Sequence, residues 1–252
     1  MNEEALAQTL FAAQRERRLL DPPSDREPLG DDVAYRVQEI LLGLHREAGA
    51  ELSGYKVGFT SLAKQKQMGI DDPIFGFLTA AMELPVGSLP LAGTVQPRLE
   101  PEIAFRLGAD LGGPDVGRAD VIAASSEVIA ALELLDSRYR DFRFNLADVV
   151  ADNTSAAGYL LAASGLPADS VDLLAEAVEF SVGGGEPQRA TGEAVQGDPA
   201  EAVAWLARRV PLRAGQLILS GGMTVATPVA AGDRVRATFS NLGEIDVRAT
   251  AG

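Results

Sequence analysis

Two strongly apolar runs in this 252-residue chain carry carboxylates in their middles, and no fold can bury them without an answer to that charge. Arg98-Leu99-Glu100-Pro101-Glu102-Ile103-Ala104-Phe105 holds Glu100 and Glu102, and Ala130-Ala131-Leu132-Glu133-Leu134-Leu135-Asp136 holds Glu133. An ionised carboxylate among Leu, Ile and Phe is costly unless a cation or hydrogen-bond donors compensate it. On a strand, residues two apart share a face, so Glu100 and Glu102 point the same way, roughly 6–7 Å apart along the backbone. Pro101 between them lacks an N–H and predicts a sheet edge or a bulge. Taken alone, Glu-x-Glu reads as a solvated strand face. Glu133, enclosed by leucines, shifts the balance: three converging carboxylates make a hard, oxygen-only site suited to Mg²⁺ or Mn²⁺. A structural ion pair of Glu133 with Arg98 or Arg138 is the competing reading.

Hydrophobic residues make up 46% of the chain, enough for a substantial core in one large domain or in a small lobe and a larger one. The formal net charge of −14 argues against a sequence-independent grip on nucleic acid or on an anionic membrane. It leaves room for a small anionic substrate, because a metal and a few basic residues invert the local field. The absence of cysteine excludes disulfides, thiolate metal sites and cysteine nucleophiles. Residues 1–20 lack the basic-then-apolar order of a signal peptide, and no apolar run is long enough to span a bilayer, so a cytoplasmic location is expected.

Along the chain, residues 2–19 read as a helix ended by Pro22-Pro23. A second helix is expected from Asp31 and Asp32, as N-caps, to about Ala48. Residues 54–60 read as a strand, Ser61 to Met68 as a short helix stopped by Gly69, and 70–90 as turns and short strands. Beyond Val95 strands dominate, at 102–107, 127–135, 158–162, 177–182, 216–220, 233–239 and 244–250. Helices are expected near 118–124, 145–151 and 199–209, and Gly183-Gly184-Gly185 reads as a hairpin turn. The fold class is α+β, with a helical N-terminal region over residues 1–90 and a β-rich metal-binding catalytic domain over 91–252.

Lys56, between Tyr55 and Val57, reads as a desolvated lysine: an acid/base group, an anchor for an anionic substrate, or the salt-bridge partner of a metal-site glutamate. Asp152-Asn153-Thr154-Ser155 alone reads as a turn or cap. In Ser220-Gly221-Gly222-Met223-Thr224 a glycine pair follows a strand and lets backbone N–H groups approach an anion, a weak signal by itself. His45, the only histidine, reads as a surface residue, which makes zinc and a Ser-His pair improbable. Trp205 reads as core.

Four motifs in register resemble the 2-keto-4-pentenoate hydratase / 4-oxalocrotonate decarboxylase family of the fumarylacetoacetate hydrolase superfamily. They are Gly54-Tyr55-Lys56-Val57-Gly58-Phe59-Thr60-Ser61, Gln96-Pro97-Arg98-Leu99-Glu100-Pro101-Glu102-Ile103-Ala104-Phe105, Leu134-Leu135-Asp136-Ser137-Arg138-Tyr139 and Ala151-Asp152-Asn153-Thr154-Ser155. The resemblance implies a mixed β-roll or sandwich catalytic body with a helical N-terminal region. It implies Mg²⁺ (or Mn²⁺) on Glu100, Glu102 and Glu133, with Lys56 as the active-site lysine. Substrate contacts are implied from Ser155, Arg138, the Gly221-Gly222 loop and Thr224, and from Ile74 and Phe75. It also implies a small anionic 2-oxo acid substrate, a homo-oligomer and association with a companion hydratase.

Hydratases of the family carry an aspartate in a Pro-Asp-Phe-Gly run. Here the run is Pro73-Ile74-Phe75-Gly76, which with Asp136 to Phe144 looks more like the decarboxylase branch. Gln96 departs from the histidine common in that branch. The expected reaction is decarboxylation of a 2-oxo-3-enedioate to a 2-hydroxydienoate, with the cation stabilising a dienolate and with Ile74 and Phe75 excluding water. The rivals are hydration of 2-hydroxypenta-2,4-dienoate, carbon–carbon bond hydrolysis or an oxaloacetate-type decarboxylation, and a non-catalytic companion subunit.

Overall fold

In the computed structural model, residues 2–60 and 72–252 are described; the helix expected over Ser61 to Met68 lies outside them. Helix α1 (Glu3–Glu16) starts where Asn2 Oδ1 accepts from Ala5 N at 3.0 Å. It ends before the prolines, at Arg17, whose left-handed backbone (φ 54°) lets the next N–H return to the Ala13 carbonyl. Helix α2 (Asp31–Glu47) is capped by Gly30 rather than by an aspartate side chain; Asp31 and Asp32 fall in its first turn, where their charge suits the helix dipole. Gly49 (φ 91°) follows its C-terminal cap, Ala48.

The body is two sheets. The larger has the order β2-β1-β9-β4-β5-β6, from strands β1 (Leu52–Gly58), β2 (Ile74–Thr79), β4 (Arg98–Leu107), β5 (Ser125–Leu135), β6 (Ala156–Leu161) and β9 (Leu217–Leu219). The short β10 (Thr227–Pro228) pairs with β4 beside this path. Among its described strands only the pair β1 and β9 runs parallel. The smaller sheet has the order β3-β12-β11-β7-β8, from β3 (Leu89–Pro90), β7 (Ala177–Val182), β8 (Gln188–Thr191), β11 (Arg234–Phe239) and β12 (Glu244–Thr250). The expected glycine hairpin at 183–185 joins β7 to β8, a strand that residues 188–191 do not announce because Ala190 is the one apolar residue among them. The shorter helices are α3 (Arg118–Ala124), α4 (Leu146–Ala151) and α5 (Pro199–Ala207).

Strands β4 and β5 are buried on both faces, which explains their nearly unbroken apolar sequences. Leu99, Ile103, Phe105, Ala130, Leu132 and Leu134 join Phe180, Val235 and Trp205 in the core between the sheets and α5. The alternate residues Ala104, Ile129 and Ala131 face a second core built from Leu6, Leu10, Val37, Leu41 and Val150 of α1, α2 and α4. The N-terminal helices therefore lie directly on the large sheet, and β1 and β2 are hydrogen-bonded into it. The large sheet continues across residue 90, because β1, before it, pairs in parallel with β9, after it. Among the described residues no helix is long and apolar enough to cross a membrane.

Candidate metal centre

The face of the large sheet turned to α1, α2 and α4 carries the even-numbered side chains of β4 and the odd-numbered ones of β5. Arg98, Glu100 and Glu102 follow one another along β4 on that face. Glu133 of β5 lies directly across from Glu100, and Leu135 across from Arg98. Glu102 and Glu133 are fully buried and Glu100 is 6% exposed. One carboxylate oxygen from each of the three lies within 4.8 Å of the other two. Like charges facing each other across a ladder repel, so this convergence demands a cation.

Part of that cation is Lys56. It stands on β1, 3% exposed, with Nζ 3.0 Å from Glu133 Oε1. Nζ also donates to the Thr154 carbonyl at 3.2 Å. Of the three readings of Lys56, the salt bridge to a cluster glutamate is present, whereas the pairing of Glu133 with Arg98 or Arg138 is not. One ammonium does not balance the two fully buried carboxylates, Glu102 and Glu133. Burial, then the Glu133 charge, push the Glu102 carboxyl well above the usual carboxylate range, against the pull of Lys56. Burial likewise raises Glu133, and Lys56 opposes it. Glu102 Oε1 and Glu133 Oε2 are buried and accept no hydrogen bond among the described residues. Two orphaned hard oxygens beside a third carboxylate fit a divalent cation with oxygen ligands.

The loop after β9 completes the cluster. Gly221 N donates to Glu102 Oε2 at 2.8 Å, and its φ of 119° favours glycine. A Cβ on Gly222 would lie 2.3 Å from Glu100 Oε2, so the loop touches the carboxylate only because residue 222 has none. The anions that this glycine pair approaches here are two of the protein's own carboxylates. Thr224 is buried, and its Oγ1 has no partner among the described residues. Pro101 is not at an edge: its carbonyl accepts from Met223 N, so its missing donor faces the gap this loop fills between β9 and β10.

Asn153, Thr154 and Ser155 all take left-handed backbone (φ 50°, 54° and 58°), each a cost of roughly 1–2 kcal/mol for a residue other than glycine. The surroundings hold the turn in place. Asn153 Oδ1 accepts from Phe77 N (2.7 Å) while its Nδ2 donates to Phe77 O (3.0 Å), copying a strand partner for β2. The turn aims the Thr154 carbonyl at Lys56 and leaves Ser155 Oγ buried without a partner among the described residues.

A cavity of about 320 Å³ opens from this centre. Lys56, Arg98, Glu100, Thr154 and Ser155 supply its polar wall, and Phe59, Leu135, Phe142, Phe144, Val149 and Val225 much of the apolar one. Arg98, missed as a candidate substrate contact, makes no ion pair among the described residues; its guanidinium lies 3.9 Å over the Phe142 ring. Its place two residues before Glu100 on one strand was the available signal. Three expected substrate contacts lie elsewhere. Arg138 is buried against Asp152 (2.8 Å) and Asp136 (3.7 Å), because two desolvated aspartates claim its charge. Ile74 and Phe75 line a neighbouring cavity with Tyr35 and Trp205, since β2 sits at the sheet's end, one strand beyond Lys56. Phe75 stacks on Tyr35 with centroids 4.7 Å apart. His45 is half-buried rather than freely exposed: it packs edge-on against Phe11 (5.0 Å) and Phe77 (5.6 Å), and burial lowers its pKa to about 4. Trp205 is core, as expected.

Comparison with known proteins agrees with this arrangement. A family profile described as fumarylacetoacetate (FAA) hydrolase C-terminal matches residues 79–249. A 2-hydroxyhexa-2,4-dienoate hydratase of Comamonas testosteroni is 40% identical, over 98% of this chain and 97% of its own length. A 4-oxalocrotonate decarboxylase of a Pseudomonas species is 39% identical, over 88% and 90%. Among solved structures, 4-oxalocrotonate decarboxylase from Pseudomonas putida G7, complexed with magnesium and adipate, superposes with a TM-score of 0.93 at 33% identity, covering 98% of this chain and 97% of that one. The chain is an α+β enzyme of the fumarylacetoacetate hydrolase family, in the group of lyases that holds the 2-keto-4-pentenoate hydratases and the 4-oxalocrotonate decarboxylases.

Proposed function

We propose that this enzyme decarboxylates a 2-oxo-3-enedioate, a six-carbon dianion of the 4-oxalocrotonate kind, to a 2-hydroxydienoate. The observation that carries the reading is Arg98: a cation with no ion pair among the described residues, in the same cavity as Lys56 and the carboxylate cluster and backed by aromatic walls. A monoanionic substrate leaves that charge unanswered, whereas a second carboxylate pairs with it.

Glu100, Glu102 and Glu133 would hold Mg²⁺ or Mn²⁺. When bound, such a cation supplies a concentrated positive charge that favours growth of negative charge on a 2-oxo acid. Lys56 has given two of its three N–H directions to Glu133 and Thr154, and the third is available to the substrate's oxygens or to the returning proton. Ser155 Oγ, on the cavity wall, offers a hydrogen bond at the same end. Arg98 orients the distal carboxylate. As its bond to the adjacent carbon breaks and CO₂ leaves, the electron pair moves through the conjugated system to the 2-oxo oxygen, which takes up a proton. Phe59, Leu135, Phe142, Phe144 and Val149, rather than Ile74 and Phe75, exclude water from the distal end.

Hydration of a 2-hydroxydienoate is the second reading, favoured by the 40% identity to a hydratase over nearly the whole chain. Assaying CO₂ release from 2-oxohex-3-enedioate beside loss of diene absorbance from 2-hydroxypenta-2,4-dienoate, each with and without EDTA, separates the two. Metal-dependent CO₂ release is expected. Strong hydration without it reverses the assignment.

A further inference from the structure

Gln96 precedes β4 and is half-buried, and its side-chain amide makes three hydrogen bonds to one loop. Nε2 donates to the carbonyls of Ser137 (2.8 Å) and Tyr139 (2.7 Å), and Oε1 accepts from Asp141 N (3.0 Å). That uses both amide protons and one acceptor position. The segment it grips holds Asp141 and Phe142 at φ 59° and 56°, a conformation that neither favours without outside support. Phe142 is the residue whose ring lies under the Arg98 guanidinium at 3.9 Å. Gln96 and Arg98 are also two apart in the chain, so one short stretch of backbone sets both the grip and the cation.

We propose that Gln96 is a positioning residue for substrate selectivity: by holding Asp141 and Phe142 in left-handed backbone it fixes the Phe142 ring, which in turn fixes Arg98 toward the distal carboxylate of a dianionic substrate. This rests on the decarboxylase reading above. It assigns the preference for two carboxylates over one to an amide that touches no substrate. A floppy Arg98 still carries its charge, but it loses more side-chain entropy when it pairs.

Binding calorimetry with two inert probes tests this, in the metal-free and Mg²⁺-loaded protein. Adipate carries two carboxylates on a six-carbon chain and hexanoate one. The unmodified enzyme is expected to bind adipate at least tenfold more tightly than hexanoate. Gln96→Met, which keeps length and volume, is expected to weaken adipate about tenfold and to leave hexanoate within twofold. In an Arg98→Met background the same change is expected to alter neither, which a general loosening of the fold does not reproduce. Weakening of both probes alike, or an undiminished effect of Gln96→Met without Arg98, overturns the proposal. Phe142→Leu leaves the Gln96 network in place and tests the last link should Gln96→Met fail to fold; an unchanged adipate-to-hexanoate ratio there overturns it equally. Equal binding of the two probes by the unmodified enzyme removes the dianionic reading itself, whereas a tenfold preference untouched by Gln96→Met removes only the role of Gln96.

Discussion

Gly222→Ala puts the carboxylate cluster to a direct test, because the structure separates its effect on the site from its effect on the fold. The added Cβ would lie 2.3 Å from Glu100 Oε2 and 2.5 Å from Cδ, while ordinary contact begins at 3.4 Å. Oε2 must therefore retreat by at least 1.1 Å (3.4 minus 2.3). The obstacle is the end of a side chain, not backbone, so the chain accommodates it at the usual overpacking cost of about 1–3 kcal/mol. A cation site is less forgiving. Ligand distances hold to about 0.2 Å, and disturbing even an outer partner of a ligand typically lowers metal affinity 10–100-fold. Displacing one of three carboxylates by five times that tolerance is expected to lower Mn²⁺ affinity about 100-fold or more. Titration of free Mn²⁺ by electron paramagnetic resonance reads the affinity, and thermal unfolding in EDTA reads the fold. A folded Gly222→Ala protein that binds Mn²⁺ within threefold of the unmodified enzyme refutes the assignment of Glu100 as a ligand.

Lys56→Met leaves the buried carboxylates without their internal cation. Metal-free stability is expected to fall by about 3–5 kcal/mol, and saturating Mg²⁺ to raise the melting temperature more in the variant than in the parent; an unchanged melting temperature in EDTA contradicts the ion pair. Asn153→Ala removes both hydrogen bonds to Phe77 and puts alanine at φ 50°. A loss of about 2–4 kcal/mol is expected from denaturant midpoints, and less than 1 kcal/mol would show that the turn holds itself. His45 is neutral in the folded chain with its pKa lowered to about 4, below its ordinary value of 6.5. The unfolded chain therefore binds the proton first, and stability falls as pH drops from 6.5 towards 4. After discounting for residual solvent, roughly 1 kcal/mol should be lost between pH 6.5 and 5. His45→Leu is expected to flatten that part of the profile, and an identical slope in both proteins counts against the assignment.

Much of the site was legible because strands obey a period of two. Once Glu100 and Glu102 are read as sharing a face, the only further step is that Glu133 lies opposite one of them, and the ladder puts it opposite Glu100. Lys56 on β1 was legible from a different signal, a charge set between the apolar neighbours Tyr55 and Val57. Where reading failed, the deciding interaction was long-range or conformational. Pro101 looked like an edge because the loop that faces its missing donor comes more than a hundred residues later. Arg138 looked available because Asp152, its partner, is fourteen positions away on a different element. The left-handed turns at Asp141-Phe142 and Asn153-Ser155 carry no glycine, so nothing local announces them. Arg98 went unmarked as a substrate contact because the ring beneath it arrives on one of those turns.

The proximal end of the cavity rests on adjacent strands in fixed register, while much of the distal wall, Phe142 and Phe144 among it, comes from a connecting segment. These two halves can drift at different rates. Descendants of one ancestor can recut the connecting segment, and so accept a new tail on the same oxo-acid head, without disturbing the half that does the electronics.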